Sequence, residues 1–181
     1  MSNSRLSRRY AKALFSLGQE DGSYSDYGRE LTEFNDFCAV NKDFGQVIAN
    51  PIFSVEERKK VLQTILAKSG FSGTVKNFLN LLLDKNRIGA IQTITDHYGS
   101  LTDEASNIAR AEIISARPLK KEALEKIEES LEKVTSKKIV SKVSEDGNLI
   151  GGIMVRIGDL VLDGSIRAQL EGLKESFKRG E

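Results

Sequence analysis

At 181 residues the chain is long enough for one domain with a sizeable core or for two small ones. Its 27 lysines and arginines nearly cancel its 26 aspartates and glutamates, which argues against a dedicated nucleic-acid binder, a class that carries a basic excess. The single cysteine, Cys38, excludes an intrachain disulfide, and the single histidine, His97, leaves a histidine metal site or a Ser-His-Asp arrangement resting on one residue.

Chain order begins with a helix in which Leu6, Tyr10, Ala13, Leu14 and Leu17 share a stripe at 3.6-residue spacing. Ala11 and Phe15 lie about 100 to 140° from the centre of that stripe, so one face can pack inward while another stays apolar outside. The same segment holds Arg5, Arg8, Arg9 and Lys12, several serines and no acid before Glu20, the composition of a mitochondrial transit peptide. Its coherent apolar pattern runs straight into the domain, and it reads as a retained structural helix. With no secretory signal in view, the expected compartment is the cytosol.

A polar loop follows, Glu20 to Tyr27, with Gly22, Ser23 and Ser25. A second helix places Leu31, Phe34 and Cys38 on one side, and a short third one, Phe44 to Ile48, stops before Pro51, since the residue before proline resists helical dihedrals. Ser54-x-x-Glu57 is a capping box opening a fourth helix with Val61, Leu62, Ile65 and Leu66 as its buried side. Val75 to Leu83 is apolar around more than one face, through Val75, Phe78, Leu79, Leu82 and Leu83. The longest apolar run, Leu79 to Leu83, is interrupted by Asn80 and falls far short of the roughly 20 residues a membrane-spanning helix needs. Ile88, Ile91, Ile94, Tyr98, Leu101, Ala105 and Ile108 then recur at steps of three or four, which predicts one long helix.

Near Ala109 the pattern changes. Ala111 to Ala116 reads as a strand, and Leu119 to Val134 as a helix with Leu124, Ile127, Leu131 and Val134 on its apolar side. Ile139, Ser141 and Val143 alternate with Val140 and Lys142; Ile153, Val155 and Ile157 alternate with Met154 and Arg156. Gly158-Asp159 and Asp163-Gly164 are turn residues, and the Gly151-Gly152 pair marks a close backbone approach or an unusual dihedral. A terminal helix starts at Ser165, with Ile166, Leu170, Leu173 and Phe177 in register. The order predicts an α+β chain, mostly α: a helical bundle over residues 1–105, then a small α+β domain over 106–181 with a short sheet and a terminal helix.

Chemistry-bearing groups are sparse. Cys38 lies on an apolar helix face, where a thiol acts as a small hydrophobe, and His97 beside Asp96 reads as a surface or interface residue. Glycines 147, 151, 152, 158 and 164 match neither a P-loop nor a GxGxxG spacing. Carboxylates alternate with lysines, as in Lys121-Glu125 and Glu122-Lys126, and read as solvated pairs. Asp159 and Asp163 read as turn formers. Arg156 and Arg167 either pair with those aspartates or present a charged edge to a partner. No catalytic, cofactor or metal site is therefore expected, and the profile is that of an interaction protein. The segments Tyr10 to Leu17 and Val75 to Leu83 carry more apolar area than one core face requires. Either a groove between them receives an amphipathic helix, or both lie at the centre of the bundle.

The string Leu149-Ile150-Gly151-Gly152-Ile153-x-Val155-Arg156-x-Gly158-Asp159-x-Val161-x-Asp163-Gly164-Ser165-x-Arg167 resembles the C-terminal signature of the delta subunits of F-type ATP synthases, the family of the mitochondrial oligomycin-sensitivity-conferring protein. Arg9-Tyr10-Ala11-Lys12-Ala13-Leu14-Phe15 is similar to that family's opening helix, and Asn50-Pro51 and Asn77-Phe78-Leu79 through Asn86-Arg87 to its middle. The resemblance covers essentially the whole chain. It implies a six-helix N-terminal bundle whose first and fifth helices hold an N-terminal helix of an alpha subunit. Carried over residue by residue, that contact falls on Tyr10, Ala11, Ala13, Leu14, Phe78, Leu79 and Leu82. It also implies that the C-terminal domain holds the far ends of the b subunits of the peripheral stalk, through Gly151, Gly152, Arg156, Gly158, Asp159, Asp163, Gly164, Arg167 and the last helix.

The function so implied is that of a non-catalytic stator subunit, one copy per complex, peripheral on the cytoplasmic face of a bacterial membrane. Its partners would be alpha subunits, with beta a second candidate, and b subunits; nucleic acid, cofactors and direct membrane insertion are not expected. The competing reading from the residues is a freestanding helical regulator with a small ligand-sensing α+β domain, which saturable binding of a small molecule to the C-terminal half would reveal.

Overall fold

A computed structural model describes residues 2–179. The chain divides into two compact units, residues 1–102 and 103–181.

The first unit contains α1 (Ser2–Glu20), α2 (Tyr24–Val40), α3 (Lys42–Ala49), α4 (Val55–Leu66) and α5 (Gly73–Asp84). A 3-10 turn (Ile88–Ala90) then leads into α6 (Ile91–Ala105), whose last residues belong to the second unit. Local chemistry sets the boundaries. Ser54 Oγ accepts the Glu57 N–H at 3.3 Å while the Glu57 carboxylate accepts the Ser54 N–H at 3.0 Å, a complete capping box at the start of α4. Ser72 Oγ accepts the Val75 N–H at 3.3 Å and caps α5. The long helix expected through Ile108 is shorter: α6 stops at Ala105, Asn107 adopts a left-handed φ of +54°, and Ile108 opens a strand. Asparagine tolerates that conformation, and one such residue ends the helical repeat whatever the spacing of the apolar residues around it.

The core of this unit joins Ala11, Leu14 and Phe15 of α1 to Leu31 and Phe34 of α2, Leu62 and Leu66 of α4, and the apolar face of α5. Tyr98 is fully buried; its hydroxyl donates to the Tyr24 carbonyl at 2.9 Å, and its ring meets Phe15 edge to face. Burial pushes the Tyr98 hydroxyl well above the usual tyrosine value. Two charged side chains also lie inside. Glu30 accepts both the Ser72 N–H at 2.9 Å and the Ser72 hydroxyl at 2.8 Å, placing a carboxylate at the positive end of α5. Arg58 occupies the inward position of α4 one turn before Leu62, and Val61, expected on the buried side, is exposed. Binary patterning assigns an arginine to the surface by default, which is why the pattern misplaced this face.

The second unit contains β1 (Ile108–Ser115), α7 (Lys121–Thr135), β2 (Lys138–Glu145), a 3-10 turn (Gly147–Leu149), β3 (Ile153–Ile157), β4 (Leu160–Asp163) and α8 (Ile166–Arg179). The sheet order is β2-β1-β3-β4. β1 and β2 are parallel, joined by the α7 crossover, with Ile108 opposite Lys138; β1 with β3 and β3 with β4 are antiparallel. One sheet face, Ala111, Ile113, Ile139 and Val155, packs with Leu124, Ile127 and Leu131 of α7, as the alternation of the strands predicts. Val134, expected on the same side of that helix, is exposed near its C-terminal end. The Ser141 hydroxyl donates to Glu128, and the Ile139 N–H donates to Glu132 at 3.1 Å, tying β2 to α7.

Candidate functional site

α1 distributes its residues over distinct faces. Ser7, Ala11, Leu14, Phe15 and Gly18 turn inward. Tyr10, at the margin of that arc, meets Phe78 of α5 edge to face, with ring centroids 6.3 Å apart. Beyond Tyr10, Leu6 is half-buried, Ala13 is exposed and Leu17 is 49% exposed. Phe78 likewise marks the margin of the buried arc of α5, and Leu81, about 60° further round, is 44% exposed. The Tyr10–Phe78 contact joins the two margins in an apolar seam, and Leu17 on α1 and Leu81 on α5 are the large apolar side chains left exposed beside it.

The seven residues expected at this contact therefore separate. Ala11, Leu14, Leu79 and Leu82 are core, Phe78 is floor, Tyr10 is half-buried, and Ala13 is exposed. Besides Ala13, the apolar side chains exposed beside this contact are Leu17, already part of the sequence stripe, and Leu81, which the apolar pattern of the sequence did not mark out. Where the apolar arc of a helix is wider than the face it buries, period alone does not say which leucine at its edge is left outside.

In the second unit the expected residues build a corner between β3, β4 and α8. Gly152 has φ +81°, and a Cβ there would lie 2.3 Å from the Gly164 carbonyl oxygen; one on Gly151 would lie 2.5 Å from Ile166 Cδ1. The Gly164 N–H donates to the Ile153 carbonyl and the Ile166 N–H to the Gly151 carbonyl, each at 2.9 Å. Asp163 Oδ1 accepts the Ser165 N–H at 2.8 Å, the bond that first of all holds this carboxyl below its usual value. Ser165 Oγ in turn caps α8 through the Ala168 N–H at 3.1 Å. Gly158, with φ +56°, and Asp159 turn the β3–β4 hairpin. Neither arginine forms an ion pair with the aspartates: Arg156 pairs with Glu112 opposite it on β1 at 3.5 Å, and Arg167 with Glu171 at 3.2 Å.

What the corner displays is apolar. Leu160, Val161 and Leu162 of β4 and Ile166, Leu170, Leu173 and Phe177 of α8 are all exposed. Between α7 and the hairpin runs an open groove of about 450 Å³, lined by Ile127, Leu131, Ile153, Val155, Leu162 and Gly164 among others.

Nucleophilic and metal chemistry find little to use. Burial pushes the half-buried Cys38 thiol up to about 11, so it is protonated near neutrality. Among the described residues no group of His, Cys, Asp and Glu side chains is placed to hold a metal ion. No helix among them is long and apolar enough to cross a membrane.

A family model described as "ATP synthase delta (OSCP) subunit" matches residues 6–177. ATP synthase subunit delta of Desulfatibacillum aliphaticivorans is 46% identical over 181 residues, covering 100% of this chain and 99% of that protein. The corresponding subunit of Desulfosudis oleivorans is 43% identical over 181 residues, with the same coverage. A chain in the cryo-EM structure of the Toxoplasma gondii mitochondrial ATP synthase hexamer superposes with a TM-score of 0.71 at 16% identity, over 95% of this chain and 97% of that one, so the fold is shared. With a matching family model over nearly its full length and relatives above 40% identity end to end, this chain belongs to the ATP synthase delta (OSCP) subunit family.

Proposed function

We propose that this chain joins the catalytic head to the peripheral stalk with two separate grips, the α1–α5 seam for an N-terminal helix of an alpha subunit and the β3–β4–α8 corner for the ends of the b subunits. As a member of its family it is a non-catalytic stator subunit of the F-type ATP synthase. The mechanical requirement is simple. Proton flow turns a rotor inside the head, and a head free to turn with it would receive no work; a subunit bound to both head and stalk holds it still.

The observation that carries the reading is the seam. A helix laid along it would bury Ala13, Leu17 and Leu81 over a preformed aromatic floor, the geometry of an amphipathic helix seated in a groove. The exposed β4 and α8 side chains support the second grip in the same way. Held through these partners, the chain would sit peripherally, on the cytoplasmic face of a bacterial membrane.

Calorimetric titration of the full chain with a peptide from the alpha subunit's N-terminus tests the first grip. One-to-one binding is expected, weakened at least about tenfold by Leu17→Asp or Leu81→Asp with helical content unchanged. A folded chain that ignores the peptide would refute it.

A further inference from the structure

α1 has a third face that neither the core nor the seam uses. Arg5, Arg8, Arg9 and Lys12 stand at i, i+3, i+4 and i+7, and all four are exposed. At 100° per residue, the centre of this stripe lies about 140° from the inward arc of Ala11 and Leu14 and about 140° from the open edge of Tyr10 and Leu17. Among the described residues none of the four forms an ion pair. Ser16 and Gln19 continue the stripe without charge, and α1 holds no acidic residue before Glu20.

The arrangement works against the helix that carries it. Like charges three and four residues apart repel. Arg5 also lies in the first turn, where the helix's own partial positive charge opposes a cation and where no acidic residue offsets it. An ordinary solvated face has no need of this: α7 interleaves its lysines with glutamates. A leader-peptide origin does not account for it either, since Ala11, Leu14 and Phe15 of the same helix are core. The remainder of the chain has an acidic excess, yet among the described residues no carboxylate forms an ion pair with these four cations.

We propose that this stripe docks a carboxylate-rich helical segment of a partner polypeptide, laid alongside α1 with its acids at matching spacing and separate from any helix in the α1–α5 seam. The four cations span about 10 Å of helix axis, the rise over which a second helix repeats its own i, i+3/i+4, i+7 positions. Charge, not apolar burial, is the recognition element, because the stripe contains no large apolar side chain. A membrane surface fits less well: an interfacial helix inserts its apolar face, and that of α1 is committed to the core except at the seam.

The probes are two synthetic helices on an alanine/glutamine background, one with glutamates at the four spaced positions and one with glutamines there. Titrated into the full chain, the glutamate helix is expected to bind and the glutamine helix not to, with affinity falling as the Debye length shrinks with added salt. Replacing all four cations by glutamine should weaken the glutamate helix about tenfold or more. The same variant should fold at least as stably, and should bind the alpha-subunit peptide as the wild type does. That control separates failure here from failure of the seam. Equal binding by the variant, no binding by the folded wild type, or tighter binding to vesicles rich in phosphatidylserine than to the glutamate helix would each overturn the proposal.

Discussion

Arg58 reaches across the helical unit to Asn86, its Nη2 donating to Asn86 Oδ1 at 2.6 Å. Its Nη1 donates to the Ile48 carbonyl at 3.3 Å, so one buried guanidinium serves the end of α3 and the corner after α5, where Asn86 holds a left-handed φ of +51°. Among the described residues no carboxylate pairs with it; the carbonyl-rich end of α3 is the negative pole it faces. Arg58→Ala would leave the Ile48 carbonyl and the Asn86 side chain without these donors and open a void, and should cost about 2–4 kcal/mol in urea unfolding. Arg58→Lys, which keeps charge but not the planar fork, should fall between. A loss below about 0.5 kcal/mol for the alanine variant would show that the clamp is not used.

The difference between seam and core gives a second prediction. Leu14→Asp and Leu79→Asp place a carboxylate where the native side chain is buried, and should destabilise by more than about 4 kcal/mol, enough to unfold the helical unit. Leu17→Asp and Leu81→Asp should shift the unfolding midpoint little. If all four behave alike in far-ultraviolet circular dichroism, the assignment of inner and outer faces is wrong.

The glycine corner should rank its substitutions. Gly152→Ala puts a methyl against a backbone oxygen at a positive φ and should cost about 3 kcal/mol or more. Gly158→Ala, with open space around it, pays only the dihedral, about 1 kcal/mol. Gly151→Ala meets the tip of the flexible Ile166 side chain and should fall near the milder value. Limited proteolysis of the second unit in the full chain would read the order directly.

A pH response should come from Asp21 and Tyr27. The Tyr27 hydroxyl donates to Asp21, and that bond first of all, with the Ser23 N–H behind it, holds the carboxyl below its usual value of 3.8. A carboxyl whose folded value is depressed stabilises the fold above 3.8 and loses that contribution as pH falls through the lowered folded value. The same bond raises the Tyr27 hydroxyl above 10.0, so its contribution is whole below 10.0 and is lost as pH rises through the raised value. Urea midpoints should therefore drop at both extremes, and Asp21→Asn should flatten the acid limb and part of the alkaline one. An unchanged profile in that variant would count against the pair.

The parts of the fold legible in the sequence are those set by local chemistry. Ser54-x-x-Glu57 announces the start of α4, Asn50-Pro51 the end of α3, and Gly151-Gly152 a backbone approach that only glycine permits. Less legible were features decided by the tertiary environment. Ala105 and Ile108 keep helical spacing although Asn107 ends the helix between them. Arg58 takes a core position because two carbonyl-type acceptors await it, and the apolar pattern offered Val61 instead. The seam shows the same limit: Leu81 lies only about 60° from Phe78 at the edge of a wide apolar arc of α5, so it could not be told from the buried leucines by period alone.

The central place of β1 also sets an order of events. Ile108 pairs with Lys138 and Ala111 with Ile157, so the first strand made is bonded on both edges by strands made later, and on one edge by the chain's other side of a whole helical crossover. Of the paired strands, only β3 and β4 are close in sequence. Such pairings close long loops before they are repaid, which makes them slow. During synthesis β1 must wait, both edges open, until β2 and then β3 emerge, whereas every residue of the helical unit is already present. The half with the sheet is the half for which chaperone cover and slow refolding should matter most.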